Sequence, residues 1–131
     1  DIAILSAAVA DFKPKQVATQ KIKKKENTLS IELDSTKDIL ASLGAIKKHQ
    51  FLVGFALETN NELENAKGKL KAKNLNLIVL NSLNDKGAGF KTETNKVTFI
   101  DDKENVHEFQ LKSKADVAAD LMNEIIKQIN A

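Results

Sequence analysis

Short apolar runs alternate with amphipathic segments along the chain. Residues 2–10, 51–57 and 75–80 are almost free of polar side chains, which is typical of strands buried on both faces of a sheet. Residues 29–34 alternate apolar with polar and predict a half-exposed strand. Residues 96–100 and 105–111 predict two further strands around a polar turn. The pattern therefore predicts strands throughout the chain.

Three segments between and after these strands have helical spacing. Ser35 or Thr36 is predicted to cap the first helix, with Asp38 in its first turn. Thr59 with a glutamate three residues later predicts a capping box for the second, and Ser113 is predicted to cap the third. The apolar positions are Ile39, Leu40, Leu43 and Ile46 in the first helix, Leu63, Ala66 and Leu70 in the second, and Ala115, Val117, Ala118, Leu121, Ile125 and Ile129 in the third.

This order of elements indicates an α/β fold with a mostly parallel sheet and helices on both faces. In such sheets ligands bind beyond the carboxyl ends of the strands. Those ends are residues 6–11, 55–58 and 81–82. We therefore expect these three segments to meet at one cleft.

Composition narrows the chemistry. The 131 residues suit one domain, and the net charge of +2 gives no global field for nucleic acid. All 20 basic residues are lysine, so a phosphate must be held by ammonium groups and backbone N–H groups. The chain has no cysteine and only two isolated histidines, His49 and His107, which argues against thiol chemistry and a His-based metal site. We expect a soluble, cytoplasmic protein without a membrane-spanning segment.

Lysines supply the main candidates for phosphate binding. Residues 21–25 carry four of them and suit either a solvated loop or a mobile flap over a polyphosphate. Lys69 and Lys73 share one face of the second helix, where they could either serve solubility as exposed charges or bind a triphosphate. The start of the first helix, residues 37–40, offers free N–H groups to an anion, as every helix does.

Two residues at strand ends could contact the rest of a nucleotide. Asp11 suits either a turn acid or an acceptor for a base amine, a ribose hydroxyl or a water on Mg²⁺. Phe55 suits either core packing or contact with a base or ribose. Gly87 and Gly89 form neither the dinucleotide fingerprint nor the Walker loop.

Five ordered motifs resemble a known family. SAAVADFKP, KIKKK, LVGFALETN, KGKLKAKNLNLIVLNSL and GAGFKTETNKVTFID are similar in order and spacing to phosphopantothenoylcysteine synthetase, the CoaB-type domain of bacterial coenzyme A synthesis. The resemblance covers nearly the whole chain. It implies a Rossmann-like three-layer fold and a β extension used in dimerisation, which would include residues 28–34 and 96–111.

The resemblance also implies a reaction. CTP would activate the carboxylate of 4′-phosphopantothenate as an acyl-cytidylate, and the amine of cysteine would attack it, giving phosphopantothenoylcysteine, CMP and pyrophosphate. Mg²⁺ and lysines would stabilise the charge on the phosphates, with Mg²⁺ held mainly by the nucleotide. The protein would be a homodimer that binds neither nucleic acid nor membrane. FMN would belong to a separate decarboxylase domain in a bifunctional protein.

Motif positions imply the site residues. The nucleotide-binding residues carried over from the family are Leu5, Ser6, Ala7, Ala8, Asp11, Lys21, Lys37, Asp38, Ile39, Leu40, Phe55, Lys69 and Lys73. Lys21 would be the catalytic flap lysine, and Asn81 would match a strand-end asparagine of open role on the substrate side.

The family's domain begins before this chain, with a glycine-rich phosphate-binding segment and an asparagine that handles the intermediate. We therefore read residues 1–131 as one synthetase domain that lacks its N-terminal part, and expect weak or no ligase activity from this chain alone. A non-catalytic nucleotide-binding or oligomerisation module is the main alternative. A nicotinamide-dependent oxidoreductase is disfavoured by the absent fingerprint, and single-strand nucleic-acid binding by the lack of Tyr and Trp.

Overall fold

The computed structural model describes residues 1–23, 28–82 and 93–131. The glycine-bearing loop predicted at 84–90 and the flap lysines Lys24 and Lys25 lie outside the described residues. No helix in the described ranges combines the length and apolar character needed to cross a membrane.

The described residues form short strands and helices in the order β1, β2, β3, α1, β4, α2, β5 to β9 and α3. The strands are β1 Ile2–Leu5, β2 Phe12–Pro14, β3 Leu33–Ser35, β4 Phe51–Glu58, β5 Leu77–Ser82, β6 Thr94–Asn95, β7 Val97–Asp101, β8 Val106–Glu108 and β9 Lys112–Ser113. The helices are α1 Ile39–Ile46, α2 Glu62–Ala72 and α3 Lys114–Ile129.

The main sheet has the order β1-β4-β5-β7-β8 among the described residues. The strands β1, β4 and β5 run parallel, while β7 and β8 continue the sheet antiparallel. Leu5 lies opposite Gly54, and Glu58 lies opposite Ser82. The carboxyl ends of β4 and β5 therefore lie side by side, while β1 ends several residues before β4 does.

Helices cover both faces of the sheet, so the predicted α/β class and three-layer arrangement are confirmed. On one face, Ala66 and Leu70 of α2 pack with sheet residues, and Leu40 and Leu43 of α1 pack against them. On the other face, α3 contributes a buried stripe to a second cluster that contains Phe99. The stripe consists of Val117, Leu121 and Ile125. The two clusters hold the sheet between them.

The first strand differs from the prediction. It ends at Leu5 rather than at residue 10, and its Ile2 and Ile4 are 44% and 40% exposed. Within the described chain β1 is an edge strand that pairs with β4 alone, so it is not buried on both faces. The residues after Leu5 leave the sheet and lead to β2.

The strand predicted at 29–34 is also shifted. Its paired residues are Leu33–Ser35, which align antiparallel with β2 so that Pro14 lies opposite Leu33. One further backbone hydrogen bond, from Lys15 to the carbonyl of Glu32 at 3.0 Å, follows this pair. Leu29 and Ile31 lie beyond it and are 67% and 61% exposed. Register with β2, rather than local alternation, decides where this strand lies.

Two of the three predicted helix caps are wrong. Asp38, not Ser35 or Thr36, caps α1, because the hydroxyl of Thr36 is engaged elsewhere, with the carbonyl of Ala10 at 2.6 Å. Asn61, in a left-handed conformation, occupies the cap position of α2. Ser113 caps α3 as predicted, accepting a hydrogen bond from the backbone of Asp116.

Some helix positions predicted to face the core are exposed. Short helices that border the sheet bury a narrower stripe than their full apolar pattern suggests. The exposed positions are Ile39, Ile46, Leu63, Ala115, Ala118 and Ile129.

A backbone contact joins α1 to the end of α2. A Cβ on Gly44 would lie 1.9 Å from the carbonyl oxygen of Lys73. Asn74, whose φ is 52°, donates a side-chain hydrogen bond of 3.0 Å to the carbonyl of Gly44. Only glycine permits this approach, so the spacing of α1 and α2 depends on residue 44.

The substitution Gly44→Ala tests this contact. The clash should exceed the gain in helix propensity and lower the free energy of unfolding by about 3 kcal/mol. The matched control is Gly68→Ala on α2, where an added Cβ would meet nothing within 4 Å and should stabilise by about 0.5–1 kcal/mol. Urea unfolding measures both, and equal effects of the two substitutions would contradict the proposed clash.

Candidate functional site

A hollow of about 490 Å³ lies beside the carboxyl end of β1. Four parts of the chain wall it: the end of β1 with the segment that follows it, the start of α1, one residue of β4, and one residue at the α2 terminus. The predicted site residues among its lining are Leu5, Ser6, Ala7, Ala8, Asp11, Lys37, Asp38, Ile39, Leu40, Phe55 and Lys73. Most of the predicted nucleotide-binding residues are thus brought together.

Hydrogen bonds hold the segment after β1 against the entry to α1. The hydroxyl of Thr36 donates to the carbonyl of Ala10 at 2.6 Å, and its backbone N–H donates to the carbonyl of Asp11 at 2.8 Å. These two bonds place the strand end and the helix start on facing sides of the hollow. Thr36 itself lines the hollow and was expected only as a possible cap.

Asp38 organises the start of α1. Its Oδ1 accepts a hydrogen bond of 2.9 Å from the backbone of Ala41, and its Oδ2 lies 3.0 Å from Nζ of Lys73. The hydrogen bond from Ala41, followed by that from Lys73, lowers the pKa of Asp38 below its ordinary value. This carboxylate therefore fixes both the helix start and the lysine of α2 that faces it.

The hollow is suited to an anion joined to a flatter apolar group. Lys37, Lys73 and the N-terminal end of α1 supply positive potential on one side. Phe55 and the small residues after β1 supply apolar wall. Its volume falls within the range of small-molecule sites, roughly 300–1,000 Å³. A nucleotide has this combination of parts.

Three predicted site residues lie outside the lining of this hollow. Lys69 pairs with Glu58 at the end of β4, 2.6 Å between Nζ and Oε1. Lys21 is exposed. Asn81 accepts a hydrogen bond of 2.7 Å from Asn95. Their predicted roles in binding stay predictions.

The expectation that residues 81–82 share the cleft with the ends of β1 and β4 is wrong. The hollow opens on the β1 side of β4, whereas β5 lies on the other side of β4. Ser82 lines a different and smaller depression, where its hydroxyl donates to Glu62 at 2.7 Å. The order of elements along the chain could be predicted from the sequence, but the side of β4 on which the hollow opens could not.

Two carboxylates, Asp11 and Asp38, line the hollow. Among the described residues no group of three or more His, Cys, Asp or Glu side chains is arranged to hold a metal ion. Mg²⁺ commonly takes one or two carboxylates together with substrate phosphates. Because Asp38 is already engaged by Ala41 and Lys73, Asp11 is the carboxylate in this hollow that fits such a role.

Comparisons with family models, curated proteins and solved structures agree on one family. The model of the DNA/pantothenate metabolism flavoprotein C-terminal domain matches residues 1–129. A prokaryotic protein named cysteine/cysteine sulfinic acid decarboxylase, from an unknown organism, is 53% identical over 99% of this chain and 36% of its own length. The coenzyme A biosynthesis bifunctional protein CoaBC of Bacillus subtilis is 47% identical over 95% of this chain and 31% of its own.

A solved structure gives the same result. The crystal structure of the C-terminal domain of a coenzyme A biosynthesis bifunctional protein CoaBC is 36% identical, with a TM-score of 0.77. The match covers 99% of this chain and 55% of that chain. This chain spans about a third of the length of the curated relatives that it matches.

The lowered pKa of Asp38 predicts a pH-dependent contribution to stability. A carboxylate with a lowered folded-state pKa stabilises the fold above its unfolded pKa, and this stabilisation is lost as pH falls through the folded pKa. With the ordinary value at 3.8, Asp38→Asn should be less stable than the native chain at pH 7, by about 0.3–1 kcal/mol for a half-exposed charge at a helix start.

The difference between the native chain and Asp38→Asn should shrink as the pH is lowered below 3.8. Urea unfolding at pH 7 and near pH 2.5 measures it, with exposed Asp34→Asn as the control. A difference that stays constant with pH would show that the charge of Asp38 is not what stabilises α1.

Proposed function

Because the chain belongs to the DNA/pantothenate metabolism flavoprotein C-terminal domain family, we propose that it forms the nucleotide-binding part of a phosphopantothenate–cysteine ligase. The proposed reaction belongs to coenzyme A biosynthesis, the process named in the CoaBC relatives. The carboxylate of 4′-phosphopantothenate attacks the α-phosphorus of CTP, which gives an acyl-cytidylate and releases pyrophosphate. The cysteine amine then displaces CMP to give phosphopantothenoylcysteine.

One observation supports this proposal more than any other. Asp11, Phe55 and Lys73, which are far apart in sequence, line the same hollow. Each comes from a different element, and each lies at a motif position where the family resemblance implies a nucleotide contact. Three residues selected only by sequence motif would not be expected to line one hollow unless the motifs serve a common site.

The lining suggests a division of roles. The N-terminal end of α1, with Lys37 and Lys73, is placed to bind phosphate oxygens. Phe55 offers an apolar surface to the base or ribose, and Asp11 offers an acceptor. Positive charge fixed before the reaction stabilises the negative charge that develops as pyrophosphate leaves.

The metal is part of the same proposal. Mg²⁺, held mainly by the nucleotide phosphates, would neutralise part of their charge. Asp11 would contact the metal or one of its waters. Lys73 and the start of α1 would orient the phosphates without displacing the metal.

Other parts of the proposal concern the whole protein. The natural protein is proposed to be a cytoplasmic homodimer, with residues 28–34 and 96–111 near the dimer contact. Because the chain spans about a third of the length of its curated relatives, ligase activity is assigned to the longer protein, and weak or no activity to residues 1–131. A separate decarboxylase domain would carry any FMN.

One relative carries a different activity in its name, cysteine/cysteine sulfinic acid decarboxylase. The ligase is preferred because several CoaBC proteins and the solved CoaBC C-terminal domain each match nearly all of this chain. The hollow also has Lys37, Lys73 and the start of α1 in its lining, which supports a role in binding the phosphates that a triphosphate-dependent ligase requires.

Removing the charge of Lys73 tests the nucleotide site. Lys73→Gln should weaken CTP binding by about tenfold, the usual loss for one charge-assisted hydrogen bond. Calorimetry with Mg²⁺ and CTP, repeated with ATP, measures the affinity and the preference. The control is Lys48→Gln, an exposed lysine after α1, which should leave binding unchanged. Equal binding by Lys73→Gln and the native protein would remove Lys73 from the site.

Lys21 is proposed to act on the activated intermediate. In the full-length protein, Lys21→Gln should lower kcat by about a hundredfold, within the usual range for one electrostatic contact to a transition state, while stability stays unchanged because the residue is exposed. Turnover is measured as pyrophosphate release with phosphopantothenate and cysteine. Turnover equal to that of the native protein would show that the flap lysine is misassigned.

A further inference from the structure

Glu58 is a largely buried carboxylate at the end of β4. Its side chain is 12% exposed, and Lys69 Nζ lies 2.6 Å from its Oε1. Its Oε2 accepts a hydrogen bond of 3.3 Å from the amide of Asn65, which also donates to the carbonyl of Asn60 at 2.9 Å. A buried carboxylate is stabilised by a cation beside it. Lys69 supplies that charge.

The Glu58–Lys69 contact is short, but it leaves hydrogen-bonding capacity on both side chains. Among the described residues no donor makes a well-aligned hydrogen bond to Oε1 of Glu58, so the 2.6 Å contact holds Lys69 mainly by charge. Lys69 is 46% exposed. An ammonium group has three N–H donors, so Lys69 can keep its contact with Glu58 while other donors bind oxygens from solvent.

A second pair of the same kind lies one helical turn away. The N–H of Lys73 donates to the carbonyl of Lys69 at 3.0 Å, so the two side chains share one face of α2 about 6 Å apart along the axis. Lys73 is paired with Asp38 at 3.0 Å and lines the hollow. Two acids from different parts of the fold therefore hold two lysines that lie four residues apart at the end of α2.

We propose that Glu58 is a positioning residue that holds Lys69 at the end of β4 for the distal phosphates of a nucleoside triphosphate. This inference rests on the proposed function. A lysine side chain is long and flexible, and an unrestrained one would lose rotamer freedom on binding. Glu58 restricts Lys69 before the nucleotide arrives. Lys73 serves the phosphates nearer the nucleoside, and Lys69 serves those that lie beyond the hollow.

The proposal predicts a selective loss of affinity. CTP has the distal phosphates and CMP lacks them, so only CTP should depend on Lys69 and on its positioning. Glu58→Gln should weaken CTP binding about five- to tenfold and leave CMP binding within about twofold. In a Lys69→Gln background, Glu58→Gln should have no further effect on CTP, because the two residues act through one contact.

The experiment is calorimetry of CTP and CMP with Mg²⁺ on the natural protein that carries this sequence. Glu64→Gln is the matched control, since it removes one carboxylate from an exposed position of α2. Thermal unfolding is recorded for each variant. If Glu58→Gln does not fold, Glu58→Asp takes its place, because it keeps the charge but shortens the reach, and should show a smaller loss of the same selectivity.

The outcomes separate this inference from the proposed function. Loss of CTP-over-CMP selectivity in the Glu58 variant, with none in Glu64→Gln, supports the positioning role. Equal weakening of CTP and CMP overturns it, as does unchanged binding of both, while the nucleotide site itself stands. If the native protein binds neither CTP nor ATP, the proposed function has failed, and this inference fails with it.

Discussion

The backbone contact between Gly44 and Lys73 fixes the geometry on which the hollow depends. It brings α1 against the end of α2 at a distance that only glycine at position 44 allows, since any Cβ there would clash with the carbonyl of Lys73. Asn74 completes the contact by adopting a positive φ and donating to the carbonyl of Gly44. The same approach places Lys73 within 3.0 Å of Asp38. A backbone packing constraint thus helps to determine where the ammonium group of Lys73 lies.

This constraint acts together with the switch in direction after β1. The strand ends at Leu5 while its neighbour β4 continues to Glu58, which leaves room beyond β1 for the hollow. Thr36 then ties the departing segment to the entry of α1 through Ala10 and Asp11. The backbone after β1 and the backbone at the start of α1 therefore form two walls of the hollow, and side chains add charge to these walls.

The sequence predicted the buried central strands more accurately than the edge strands and the helix caps. Continuous apolar runs identified β4 and β5, because a strand that is buried on both faces has apolar residues at nearly every position. The position of β3 depends on pairing with Phe12–Pro14, and the cap of α1 depends on Thr36 being engaged elsewhere; neither tertiary contact is visible locally. Asp11, Phe55 and Lys73 were brought together as expected. Asn81 was not, since the side of β4 that carries the hollow is set by packing.

The chain has lysine but no arginine, and acids accompany two of its lysines, Lys69 and Lys73. A guanidinium group presents a rigid fork of donors, whereas an ammonium group on a flexible stem has no preferred direction. A chain whose 20 basic residues are all lysine must obtain direction from its surroundings. Asp38 and Glu58 each fix one lysine of α2 from a different element. Under the proposed function, each carboxylate restricts its lysine before a phosphate binds, which would lower the entropy lost on binding, and each lysine keeps ammonium donors available for that phosphate.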